Sequence, residues 1–156
     1  MNCLVVYYSR TGLTQKVGES VSDLLQCDRE EVYDLEERNG VSGYVSMYLE
    51  SILKKRAEIK EPVKDPASYD LVIIGTPVWG MGLSSPVRSY LFRHRGRFKE
   101  VAFYATQGSI GSGNAFKEME KVCGKKPVSV MEIDKRDKLD GEGISKVKEF
   151  VDEIKR

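Results

Sequence analysis

Histidine is almost missing from this chain: His94 is the only one among 156 residues. A lone imidazole supplies neither a histidine-based metal centre nor a serine–histidine–aspartate triad. Cysteine is scarce as well. Cys3, Cys27 and Cys123 lie far apart and form no CxxC pair, which fits neither a disulfide framework nor a zinc site and suits a reducing compartment. Cys3 and Cys123 are expected in the core and Cys27 as an inert thiol at a helix end. No apolar run is long enough to span a bilayer. The first residues lack the charged and apolar regions of a secretory leader, so the expected location is the cytoplasm. A net charge of either sign is lacking too: 25 basic residues against 24 acidic ones leave +1. That balance argues against nucleic-acid binding driven by bulk electrostatics.

What is present is a globular composition, 40% hydrophobic and 31% charged, on a length that suits a single domain over residues 1–156. Leu4-Val5-Val6-Tyr7-Tyr8, Leu71-Val72-Ile73-Ile74 and Val101-Ala102-Phe103-Tyr104-Ala105 are continuous apolar runs, as strands covered on both faces require. Glu30–Leu35 and Val128–Ile133 mix polar with apolar side chains and read as edge strands. Helical stripes separate them: Leu13, Val17, Val21, Leu24 and Leu25; Tyr48, Leu49, Ile52 and Leu53; Phe116, Met119, Val122 and Cys123; and Ile144, Val147, Phe150, Val151 and Ile154. Ser85–Arg95 reads as a further helix with Pro86 near its first turn. This alternation predicts an α/β fold, a five-stranded parallel sheet in the order 2-1-3-4-5 with right-handed crossovers. The order reverses between strands 1 and 3, where open α/β sheets bind ligands beyond the carboxyl ends of their strands.

The loops at that edge carry the chemistry. After strand 1 comes Ser9-Arg10-Thr11-Gly12-Leu13-Thr14, running straight into a helix. Free backbone N–H groups and the positive helix end suit an anion there, although the same residues also read as an ordinary turn with Thr11 as helix N-cap. After strand 3, Thr76-Pro77-Val78-Trp79-Gly80-Met81-Gly82 sets the only tryptophan among glycines. A flat aromatic ligand could stack on it, or the indole could simply pack against a helix. After strand 4, Thr106-Gln107-Gly108-Ser109-Ile110-Gly111-Ser112-Gly113-Asn114 could bring backbone groups to a ring edge, or form a flexible lead into the next helix. None of these glycine patterns is a P-loop or a dinucleotide fingerprint.

Taken together, the loops resemble those of the flavodoxin family, and the resemblance covers nearly the whole chain. Ser9-x-Thr11-Gly12-x-Thr14 is similar to that family's FMN phosphate loop, Thr76-Pro77-Val78-Trp79-Gly80 to its ring-stacking loop, and Ala105-Thr106-Gln107-Gly108-Ser109 to its third loop. The resemblance implies a flavodoxin-like three-layer sandwich and non-covalent FMN. It places the cofactor against Ser9, Arg10, Thr11, Gly12, Leu13 and Thr14, then Thr76, Pro77, Val78, Trp79 and Gly80, then Thr106, Gln107, Gly108 and Gly111. It also implies a peptide beside flavin N5 that reorients on reduction, for which Gly80-Met81-Gly82 is the candidate. The short connection Asp134–Asp140 lacks the insertion of the long-chain members.

Departures from the family pattern are informative. Ser109–Asn114 carries no second aromatic to cover the outer ring face; Tyr44 and Tyr48 are the candidates to replace it. Leu13 stands where an Asn is common, and Arg10 is unusual. The three loops contain no Asp or Glu, so the couple to the anionic, fully reduced flavin is expected to be less negative than in acidic flavodoxins. Arg93, His94, Arg95 and Arg97 lie at the far end of the third helix, where cations complement the helix dipole; Arg88 alone could face a partner near the flavin.

The resemblance implies a low-potential electron carrier between redox partner proteins, with an FMN-dependent NAD(P)H:quinone or protoporphyrinogen-type oxidoreductase as the alternative. No nucleic acid and no membrane span are expected, and the chain is expected as a monomer or weak homodimer. Arg38–Ile59 carries more apolar surface than a crossover needs and reads as either a dimer interface or core.

Overall fold

A computed structural model of the chain describes every residue except Ser109 and Lys138. Its elements are β1 (Cys3–Tyr7), α1 (Leu13–Leu25), β2 (Asp28–Glu31), α2 (Gly40–Ile52), β3 (Leu71–Trp79), β4 (Gly82–Leu83), α3 (Ser85–Arg93), β5 (Glu100–Gln107), α4 (Ser112–Cys123), β6 (Val130–Asp134) and α5 (Glu142–Lys155).

β1 shows how the layers arise. Its side chains are all buried, yet Leu4 and Val6 enter one apolar cluster while Cys3, Val5 and Tyr7 enter another. Successive strand residues project to opposite faces, so a strand apolar at every position needs cover on both. α1 and α5 cover one face through Val17, Val21, Val147, Phe150 and Val151. α2, α3 and α4 cover the other through Met47, Val87, Leu91 and Met119. Full burial of each such side chain is worth roughly 1.5–3 kcal/mol over exposure, which fixes the three-layer sandwich.

The main sheet runs β2-β1-β3-β5-β6, parallel throughout. This is the expected order, with one addition: β4 folds back on β3 as a short antiparallel hairpin, pairing Val78 with Leu83 and Trp79 with Gly82. Cys3 and Cys123 are buried as expected, and Cys27 is half-buried.

Three expectations need correction. β2 lies at Asp28–Glu31 and not at Glu30–Leu35; at an edge the backbone can pair without apolar side chains. The Val32 N–H still donates to the Tyr7 carbonyl at 2.7 Å, after which the chain leaves the sheet, Asp34 forming an isolated bridge to Ile59 and Leu35 standing exposed. The stripe Tyr48, Leu49, Ile52 and Leu53 faces solvent and not the core. α2 instead turns Gly43, Met47 and Ser51 inward, because Ala57, Ile59 and Tyr69 of the following segment already fill that part of the core. Leu24 of α1 is exposed as well. Among the described residues no helix is long and apolar enough to cross a membrane.

Candidate functional site

Parallel pairing places the carboxyl ends of β1, β3 and β5 on one edge of the sheet, and the loops that follow them meet there. In the first loop the N-cap of α1 is Gly12 and not Thr11. Gly12 has φ +103°, a left-handed conformation that favours glycine. No side chain caps the helix, and its own N–H donates to Ser9 Oγ at 3.1 Å. The first-turn N–H groups of an α-helix have no partner within it, so α1 opens with donors and the positive dipole end unclaimed by any cap. Thr11 and Arg10 are exposed beside them. Thr14 is different: its hydroxyl is buried and shares a 2.7 Å hydrogen bond with that of Thr106. Its carbonyl accepts from the Tyr104 hydroxyl at 2.9 Å. Thr14 and Thr106 therefore brace the first loop against the third.

The second loop is the β3–β4 hairpin, with Gly80 and Met81 at its tip. Thr76 is wholly buried; its hydroxyl donates to the Pro77 carbonyl at 2.8 Å and lies 2.8 Å from Ser84 Oγ. It shapes the hairpin from behind and does not reach the open side. Glu118 anchors the same hairpin, accepting from the Leu83 N–H at 3.4 Å and from Asn114 Nδ2 at 3.2 Å. Asn114 Nδ2 also donates to the Met81 carbonyl at 2.8 Å. Arg88 forms an ion pair with Glu118. This corrects the expectation for Arg88: the side chain is buried, because the first turn of α3 packs toward α4, and it faces no partner.

Trp79 closes the hairpin from below. The indole is only 5% exposed, set edge-on to Tyr8 with ring centroids 5.5 Å apart and with the Arg38 guanidinium over its ring. Arg38, absent from the expected site, is held by Asp34 at 2.5 Å, Glu36 at 3.1 Å and Glu50. Burial alone would pull the Arg38 pKa down; the hydrogen bonds to Glu50 and Asp34 reverse that and raise it. Burial, helped by the Asp34 carboxylate, pushes the Tyr8 phenol up to about 12, so both groups keep their ordinary charge at neutral pH.

The third loop returns through Gly111, whose φ is +115° and where a Cβ would lie 2.7 Å from Val78 Cγ1; only glycine fits. The side chain of Gln107 accepts from the Ser112 N–H at 3.1 Å and so ties the third loop to the start of α4. Gly108 is exposed. Ser109 lies outside the described residues, as does Lys138 in the Asp134–Asp140 connection.

Between the loops lies a cavity of about 230 Å³ whose walls include Arg10, Thr11, Tyr44, Tyr48, Trp79 and Lys135. Pro77, Val78, Gly80 and Gly108 also border it. Among the described residues no carboxylate does. Arg10 donates to the Arg38 carbonyl at 3.3 Å; among the described residues neither it nor Lys135 is in an ion pair with an acid. Lys135 Nζ would stand 3.5 Å from a Cβ placed on Gly108, so the ammonium hangs over the third loop. Tyr44 and Tyr48 are the aromatics that border the open side. The cations at the end of α3 are engaged elsewhere, Arg93 with Glu61 at 2.6 Å and Arg97 with Asp65 at 2.7 Å.

The sequence matches the flavodoxin family over residues 2–153, and the chain belongs to that family. Among solved structures, it is similar to a flavoprotein of Lactobacillus acidophilus in complex with FMN. The two are 23% identical, with a TM-score of 0.74, over 84% of this chain and 92% of the other. It is also similar to the oxidised flavodoxin 1 of Bacillus cereus, at 16% identity and a TM-score of 0.63, over 100% of this chain and 99% of that one. The two-electron reduced flavodoxin of Megasphaera elsdenii gives 16% identity and a TM-score of 0.60, over 97% and 96%. At these identities the likeness is one of fold. No curated protein matches the chain.

Proposed function

We propose that this chain is a single-domain, cytoplasmic FMN protein that carries electrons between redox partner proteins. The observation that carries the reading is the start of α1. Its donors are capped by no side chain, and they sit on the same strand edge as a carboxylate-free crevice walled by Tyr44, Tyr48 and Trp79. The donor set fits a phosphate: the N–H groups of the first turn and the Thr11 hydroxyl would hold it. The exposed backbone at Gly80 and Gly108 would meet the polar edge of the ring, and Tyr44 and Tyr48 would cover its outer face. FMN, when bound, supplies the redox chemistry. The chain's own part is to orient the ring, shield it from water and set the charge around it. Support from outside the chain is the FMN held by the Lactobacillus acidophilus flavoprotein of the same fold.

A second reading is an FMN-dependent NAD(P)H oxidoreductase. The feature favouring it is the cationic rim of Arg10 and Lys135, which suits a small anionic substrate as well as it suits a reduced flavin. One preparation tests both. Purified protein should be yellow and release FMN, not FAD, on denaturation; colourless protein that refuses added FMN would overturn the proposal. Slow reduction by NADPH and NADH, with no turnover on a quinone, is expected of the carrier; rapid reduction with turnover would establish the oxidoreductase.

A further inference from the structure

Between Gly40 and Ile52, α2 carries one charged residue, Glu50, and that one is tied to Arg38. Its outward face is apolar instead. Val41, Tyr44, Val45, Tyr48, Leu49 and Ile52 follow the i, i+3, i+4, i+7 spacing of a helical stripe, yet each is about half or more exposed, Val41 reaching 82%. With Leu53 at the helix end, the stripe shows water on the order of 700 Å². One partner contributes ~800 Å² to a standard protein interface, whereas scattered apolar residues on a monomer form no such continuous face.

The charges that flank the stripe differ in sign. Exposed Glu36 and Glu37 precede α2, and exposed Lys54 and Lys55 follow it. Among the described residues Glu37, Lys54 and Lys55 have no ion pair within the chain, while Glu36 reaches Arg38. We propose that a second copy of the chain covers this face, the two α2 helices packing antiparallel about a two-fold axis. That arrangement lays the acidic flank of each copy on the basic flank of the other and sets the helix dipoles head to tail. A parallel pairing would oppose like charges at both ends. The middle of the stripe carries no charge to repel its own image across the axis, as a self-complementary interface requires. Because Tyr44 and Tyr48 belong both to the stripe and to the crevice wall, the second copy also closes the outer side of the crevice.

Sedimentation velocity on the full chain, from low micromolar to submillimolar concentration, tests the proposal. The expected species has twice the 17.6 kDa of the chain. Val45→Glu, at a half-exposed site that does not border the crevice, should leave a folded monomer by circular dichroism. Reversing Glu36 and Glu37 to Lys should weaken association about tenfold through four lost rim pairs, and reversing Lys54 and Lys55 to Glu in the same chain should restore it. A monomer at every concentration, with the stripe left to some other partner, would overturn the proposal. So would a dimer indifferent to Val45→Glu, or a charge exchange that restores nothing. Association is read independently of colour, so its failure leaves the FMN reading standing, and the reverse holds too.

Discussion

The guanidinium carbon of Arg38 lies 4.9 Å from the centroid of the Trp79 indole. Cation and ring are stacked at the crevice wall, so the position of the one tryptophan depends on a charge that two largely buried carboxylates, Asp34 and Glu50, hold in place.

Removal of that charge should be costly. Arg38→Ala leaves Asp34 and Glu50 without their cation in a dry setting, and breaking a buried pair in this way costs about 3–5 kcal/mol. Urea denaturation followed by Trp79 fluorescence measures it. A loss below about 1 kcal/mol, the range of a surface pair, would show that Arg38 does not support the indole.

The start of α1 predicts a selective loss. Thr11→Val removes a hydroxyl placed beside the uncapped first turn, and a hydrogen bond to a charged group is worth about 1.5–3 kcal/mol. Affinity for FMN should therefore drop by roughly ten- to a hundredfold, while riboflavin, which has no phosphate, should bind as before. Calorimetric titration of the two ligands decides the matter, and equal losses would remove Thr11 from the phosphate.

Lys135 predicts a potential. With no carboxylate on the crevice wall and an ammonium over Gly108, the anionic, fully reduced flavin should be favoured relative to acidic flavodoxins. Lys135→Glu reverses the local charge. A change of about 1 kcal/mol per charge at intermediate dielectric corresponds to roughly 20 mV in a two-electron couple, so the double reversal should lower the potential by about twice that. A spectroelectrochemical titration with no shift would show that Lys135 lies out of range of the ring.

His94 predicts a pH dependence of stability. Its imidazole packs against Tyr90 with centroids 4.6 Å apart, and burial, then Arg97 and Arg93, lowers its pKa. The unfolded chain therefore binds the proton more readily than the folded one. Stability should be fully present above the unfolded value of about 6.5 and fall as pH drops from there through the folded pKa. Thermal melts of the wild type and of His94→Phe between neutral and mildly acidic pH should diverge in that window; parallel curves would refute the assignment.

Much of this was readable from residue order. Apolar runs at β1, β3 and β5 revealed strands covered on both faces, and strand–helix alternation then placed all three loops on one edge. What escaped detection follows a pattern. Arg88 read as free to face a partner because its own acid lies elsewhere in the chain, Glu118 being thirty positions beyond it, and pairing at a distance leaves no local signature. β4 has two residues, too few to show any period. In α2 the spacing located the apolar side correctly but not its direction, which depends on whether the sheet has room left. Thr76 and Thr14 fit the pattern of the ligand loops, yet their hydroxyls are spent on the scaffold.

The outermost strand, β2, is Asp28-Arg29-Glu30-Glu31. Four consecutive charges on an edge strand discourage a foreign strand from adding to the sheet, because each newcomer would have to desolvate a carboxylate or guanidinium along its length. Growth into ribbons or fibrils is thereby checked on that side, and self-recognition is left to the helical layers.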